Sequence, residues 1–251
     1  MFSIFSLLGE YYYIAIILQI IVIVHALKTG RRQWLFLLIF LPVLGSLVYF
    51  FSELWPEIRR GTFTANFQRY FFPKQKIKEW TRKVQISDNV TNKLGLSNAY
   101  AEQHEYGKAI ELAKSCLYGL YADDPAIHLQ LARQYFHNRQ YQESLNHFDT
   151  LNSINKNRFG VMEDELLYVR AQEGVGLLDL ADEGYRRIIR IHHSLEGRYY
   201  YGLFLKKQQK KTEAREQFQS IREEIKLLPR YLRRRYATWS RKALKELLAS
   251  K

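Results

Sequence analysis

Two stretches of the chain decide its architecture: NAYAEQHEYGKAIELAKSCL at 98–117 and RQYFHNRQYQESLNHFDTLN at 133–152. Laid one over the other, Tyr100, Tyr106, Ala109, Ala113 and Cys116 stand against Tyr135, Tyr141, Ser144, Phe148 and Leu151, each 35 residues later. Ala181, Tyr185 and Ile188 repeat the second half of the unit. Ala214, Phe218 and Ile221 do so again, preceded by Tyr201, Gly202 and Leu205. The small residues Ala109, Ser144, Ala181 and Ala214 are separated by 35, 37 and 33. No period-2 strand pattern competes with this self-similarity, and a period of this length is the mark of a stacked repeat.

The spacing resembles the tetratricopeptide (TPR) repeat, a pair of antiparallel helices. The resemblance implies an all-α chain whose body, residues 90–251, is a TPR-like α-solenoid of about four helix pairs. The pairs are expected at 90–123, 125–158, 162–195 and 196–229. The third diverges, with Gln172 where an aromatic belongs. Small residues let paired helices approach, and each unit buries its apolar edge only on its neighbour. Residues 230–248 (RYLRRRYATWSRKALKELL) read as a basic amphipathic capping helix. The resemblance also implies a groove on the inner faces of the first helices that holds a protein or peptide. The matching positions are Asn98, Arg133 and Arg170, with Phe136 and Lys206 one turn along. Asn can bond a ligand's backbone and Arg can grip a carboxylate with two N–H groups, so an acidic partner is expected. Arg133→Ala with Arg170→Ala is expected to abolish capture without unfolding the domain.

Residues 1–55 are of another kind. Tyr11 to Leu27 and Trp34 to Phe51 are apolar runs, interrupted in the first by Gln19 and His25 and uncharged in the second. Each spans roughly 26 Å as a helix, near the lower limit for a bilayer. Only KTGRRQ joins them, so the expectation is a transmembrane helical hairpin with spans at 11–27 and 34–51. A signal peptide fits less well, because the first ten residues hold no Lys or Arg. Trp34, Pro42, Gly45 and Tyr49 form W-x7-P-x2-G-x3-Y, which resembles the N-terminal anchor of cardiolipin synthases and other phospholipase D-like membrane proteins. The catalytic part of that family is missing: none of the seven histidines has Lys two residues later. Anchor and divergent repeats together resemble an uncharacterised bacterial membrane-protein family, which implies architecture and no activity. Between anchor and body, 56–89 is basic and aromatic, with Arg59, Arg60, Arg69, Lys74, Lys76 and Lys78 among Phe63, Phe67, Tyr70, Phe71, Phe72 and Trp80. Such a segment can lie against anionic headgroups or pack on the body.

The net charge of +13 is uneven: residues 1–55 contribute only +1 and the rest +12. One cysteine, Cys116, excludes an internal disulfide and a cysteine zinc cluster, and its place in the repeat makes it a core thiol. His192-His193 is poor metal geometry, and His147 near Asp149 reads as a solvated helix face. No nucleotide loop, nucleophile elbow or zincin motif occurs, so no enzyme, metal or cofactor is expected. The reading is a membrane-anchored scaffold or adaptor whose groove binds protein. The alternatives are an anionic-lipid or nucleic-acid binder acting through Arg233, Arg234, Arg235, Arg241, Lys242 and Lys245, or an auxiliary subunit of a lipid enzyme. Nucleic acid is the weakest of these. Positive charge flanking the runs favours both chain ends in the cytoplasm, at a bacterial inner membrane.

Overall fold

The computed structural model describes the backbone of residues 4–61, 74–154 and 159–249, and side chains from Ile16 onward except at residues 42 and 43. Among these residues the regular structure is entirely helical. The chain forms two compact units, Met1–Arg82 and Lys83–Lys251. The linker's Phe63, Phe67, Arg69, Tyr70, Phe71 and Phe72 lie outside the described residues.

In the first unit, α1 (Ile4–Lys28) carries the first apolar run. The second run departs from the expected single span. It breaks at Leu41 (φ −128°, ψ 72°) into α2 (Leu35–Phe40) and α3 (Pro42–Tyr49). At 1.5 Å per residue α2 is about 9 Å long, far short of a bilayer. Pro42 supplies the physical reason, since it has no N–H to continue α2 and its fixed φ suits the first position of a new helix. Gly45 completes the fold-back: a Cβ there would meet the Leu37 carbonyl and the Leu38 backbone. A π-helical turn (Phe50–Leu54) leads to α4 (Trp55–Arg59). Among the described residues no helix is long and apolar enough to cross a membrane.

The signature residues of this unit explain one another. The Trp34 ring meets Tyr49 edge-on at 5.7 Å, and the buried Tyr49 hydroxyl lies 2.8 Å from His25 Nδ1. Trp34 Nε1–H donates to Glu53 Oε1 at 3.1 Å, and Arg31 pairs with both Glu53 and Glu57. Gln19 donates to the Leu38 carbonyl at 3.0 Å. The polar interruptions of α1 are thus spent inward, while Ile17, Leu18, Ile21, Phe36, Phe40 and Leu44 remain about half exposed or more.

After α5 (Gln75–Ile86), the second unit is a stack of helix pairs: α6 (Val90–Glu102) with α7 (Tyr106–Lys114), α8 (Pro125–His137) with α9 (Tyr141–Ile154), α10 (Met162–Val175) with α11 (Leu178–His192), and α12 (Leu195–Lys207) with α13 (Lys211–Leu227). The final helix, α14 (Arg230–Ala249), lays Ala243 and Leu247 on the last pair. Side-chain caps begin α6, α8 and α12: Asn89, Asp124 and Ser194 accept from backbone N–H groups two or three residues on. Each turn inside a pair holds one left-handed residue, His104, Arg139, Gly176 and Gln209. Each is closed by a reverse bond to the carbonyl of Tyr100, Tyr135, Gln172 or Leu205 at 2.9–3.0 Å. Ala109, Ser144, Ala181 and Ala214 are all buried where the helices of a pair meet. Ser144 also bonds the Ala132 carbonyl at 2.8 Å, and Gly202 leaves room for the Phe218 ring.

Candidate functional site: the inner faces of the repeat helices

The helix periodicity places Asn98, Arg133, Arg170 and Lys206 on the first helices of successive pairs. Asn98 and Arg133 come together. With Glu102, Tyr106, Gln130 and His137 they line an open cleft of about 550 Å³ between α6 and α8. A polar cluster supports its floor: Ser97 Oγ donates to the Ala109 carbonyl at 2.7 Å and accepts from Gln130 and Gln134, each at 2.8 Å. Tyr106 stacks on His137 at 5.6 Å. Burial lowers the His137 pKa, and Arg170 and His104 push it the same way.

Arg133 and Lys206 are committed within the chain. Arg133 makes a two-pronged pair with Asp164 on α10, Nε–Oδ1 at 2.6 Å and Nη2–Oδ2 at 2.7 Å. Asp164 is 2% exposed, and its carboxylate holds the Arg133 pKa above the ordinary value. The carboxylate expected from a ligand is therefore supplied by the next repeat. Lys206 is used in the same way, with Nζ 2.8 Å from Glu246 on α14. Phe136 is buried beneath Arg170, whose guanidinium lies 4.9 Å from the Phe136 ring and 4.0 Å from that of Tyr200. Among the described residues Arg170 has no ion-pair partner, so its N–H edges stay available on a stacked, oriented fork. The expectation that Arg133→Ala leaves the domain intact is corrected here, because the variant strands a buried carboxylate.

The basic residues of α14 also divide. Lys242 lies 4.1 Å above Trp239 and 5.6 Å above Tyr199, and Arg235 lies 5.9 Å from the Tyr236 ring. Arg233, Arg234, Arg241 and Lys245 face solvent beside Arg230, Tyr231 and Leu248. The helix's single acid, Glu246, turns inward to Lys206.

Sequence reasoning missed the partners: Asp164 and Tyr200 sit on other repeats and Glu246 on the final helix. It also missed a histidine pair. His128 Nδ1 and His147 Nδ1 are 2.9 Å apart, and His128 Nε2–H donates to the Ala122 carbonyl at 3.0 Å. His128 Nδ1 thus carries the lone pair, and His147 Nδ1–H donates to it. Asp149, the neighbour His147 has in sequence, instead accepts from Tyr168 at 3.0 Å. Burial, and next the electrostatic effect of the adjoining His128 ring, lowers the His147 pKa to about 4. Cys116 is fully buried and burial raises its pKa, as an inert core thiol requires. Among the described residues no cluster of three or more His, Cys, Asp or Glu could hold a metal.

No known family profile and no curated protein matches this chain. Solved structures do. A Podosopora anserina protein named for a kinesin light chain with nearly identical TPR-like repeats, in a single-substitution form, superposes with TM-score 0.55 at 17% identity, over 63% of this chain and 89% of its own. MamA from Desulfovibrio magneticus RS-1, from residue 41 to its end, gives 0.52 at 14% identity, over 67% and 88%. Likeness at these identities concerns the fold alone. The body of the chain is an all-α, TPR-like helical solenoid.

Proposed function

We propose that this protein is a non-catalytic scaffold that binds an extended protein segment in the cleft between α6 and α8 and holds it at a membrane surface. The observation that carries the reading is the cleft itself, about 550 Å³ and lined by Asn98, Glu102, Gln130 and His137 on the inner faces of successive first helices. Amide side chains on a rigid helical wall suit backbone recognition, which depends little on the partner's sequence. Acid recognition narrows to Arg170, since Arg133 and Lys206 already hold carboxylates of their own chain.

Bilayer attachment rests on the first unit, where large apolar side chains stand exposed on α1, α2 and α3 around a small inward polar core. An outward apolar surface of that kind is rare on a solvated unit and marks a lipid or protein contact. Attachment would raise the effective concentration of the repeats near membrane partners. In-cell crosslinking, purification from membranes and mass spectrometry test the proposal. A stoichiometric protein partner, lost when Asn98→Ala and Ala101→Arg block the cleft, supports it. Recovery of lipid or RNA with no protein partner contradicts it. A second reading, anionic-lipid contact through α14, is favoured by the acid-free exposed face of Arg230, Arg233, Arg234, Arg241 and Lys245. Salt-sensitive binding that survives the cleft variants and fails on Arg234→Glu with Arg241→Glu would point there.

A further inference from the structure

The repeats share a register at their left-handed turns and buried small residues, so a place where one departs from the pattern can be read against its neighbours. In the second repeat Tyr135 shares a buried cluster with Ile110, Ala113 and Cys116 of the preceding segment, and Leu117 packs against that cluster. The His147 ring stacks on the Tyr135 ring at 5.4 Å. The left-handed turn residues and the buried small residues set the register to the third repeat, 35 residues on for the preceding helix and 37 for the repeat's own helices. Tyr135 becomes Gln172, His147 becomes Gly184 and Leu117 becomes Asn152. Two rings and a leucine are replaced by two amides and a glycine.

Their loss leaves an open space of about 500 Å³ between α9, α10 and α11, lined by Asn152, Gln172 and Gly184 with Tyr168, Phe159 and Arg187. Phe159 and Tyr168, 5.2 Å apart between ring centroids, close one side of it. One amide oxygen is orphaned, and the other amide opens on the space without a bond to the described residues. Asn152 Oδ1 is buried with no hydrogen-bond partner. Gln172 is 6% exposed, and its side-chain amide meets no partner among the described residues. A buried polar group left without a bond is destabilising, and neither amide relieves the other. Of the charged residues that line it, Arg187 pairs with Glu165 at 2.8 Å, and Glu183 stands exposed at its edge.

We propose that this cleft is a binding site for a planar aromatic ring that carries a hydrogen-bonding edge. The ring would occupy the space that Tyr135 and His147 fill one repeat earlier, beside Tyr168 and Phe159, and its polar edge would satisfy the Asn152 and Gln172 amides. Such a ring can belong to a tyrosine of a partner protein or to a free heteroaromatic compound. The site lies on α9, α10 and α11, apart from the α6–α8 cleft, so it stands or falls independently of the proposed scaffold function.

Saturation-transfer NMR on the full-length protein tests it, with N-acetyl-tyrosinamide and adenine as probes and N-acetyl-leucinamide as the aliphatic control. The decisive variant is Gln172→Tyr, which restores the ring of the first two repeats. The expected result is transfer to at least one aromatic probe, at least tenfold weaker binding in Gln172→Tyr, no transfer to the leucine probe, and a higher melting temperature for the variant. Preference for the tyrosine probe assigns the site to a protein side chain, and preference for adenine to a free heterocycle. No transfer to either aromatic probe, equal binding by the variant, or a lower melting temperature for Gln172→Tyr overturns the proposal.

Discussion

Arg139 and Gln209 adopt φ of 62°, a backbone region that costs a side-chain-bearing residue roughly 1 kcal/mol and glycine almost nothing. Gly176 fills the equivalent turn at φ 95° with open space around it. Arg139→Gly with Gln209→Gly is therefore expected to stabilise the body by about 1 kcal/mol, net of the glycine entropy cost, raising Tm by about 2–4 °C. Gly176→Ala should lower stability by about 1 kcal/mol. Denaturant melts decide both. His147 supplies a pH prediction. Its folded pKa, about 4, lies below the ordinary 6.5, so the folded state favours the neutral ring. Stability from this group is complete above pH 6.5 and is lost as pH falls from 6.5 toward 4, by up to about 2 kcal/mol after allowance for partial solvation. Urea unfolding at pH 7 and pH 5 should show the loss, and His147→Phe should flatten it. A pH response unchanged in His147→Phe would place its origin elsewhere.

Between elements, the interactions that matter cross from one repeat to the next, and these were the least legible in the sequence. Periodicity assigns Arg133 and Lys206 to an inner face, but it does not reveal that Asp164, 31 residues on, and Glu246, 40 residues on, reach back to them. Residues that looked like free ligand clamps thus link neighbouring helices. Arg133→Ala should cost about 2–3 kcal/mol, because it strands a carboxylate that is 2% exposed, whereas Arg133→Met with Asp164→Leu should recover most of that loss. Equal destabilisation of the single and double variants would show that the pair is not coupled. The turn spacing, by contrast, was legible: buried small residues and left-handed turns recur at the same 35, 37 and 33 intervals, because both are fixed by the length of a helix pair. In the first unit, hydropathy measured the length of the apolar run but not its continuity. Pro42 and Gly45 were visible as members of the W-x7-P-x2-G-x3-Y pattern, yet the break they impose folds the run back on itself. Gly45→Val should prevent that fold-back, seen as loss of protection from hydrogen exchange over α2 and α3.

At the scale of the molecule, the protein combines an N-terminal unit with an exposed apolar surface and a basic helical solenoid whose inner face carries an open polar cleft. If the basic face of α14 contributes to membrane contact, binding to anionic vesicles should weaken severalfold between 50 and 200 mM salt in the wild type and lose that dependence in Arg234→Glu with Arg241→Glu. The central claim concerns the cleft, and site-specific photocrosslinking in cells tests it most directly. A photoreactive residue is placed at Asn98, inside the cleft, and separately at Asn146, exposed on α9. The account predicts a discrete protein adduct from position 98 that is absent from position 146. No adduct from position 98, or the same adducts from both positions, would contradict it.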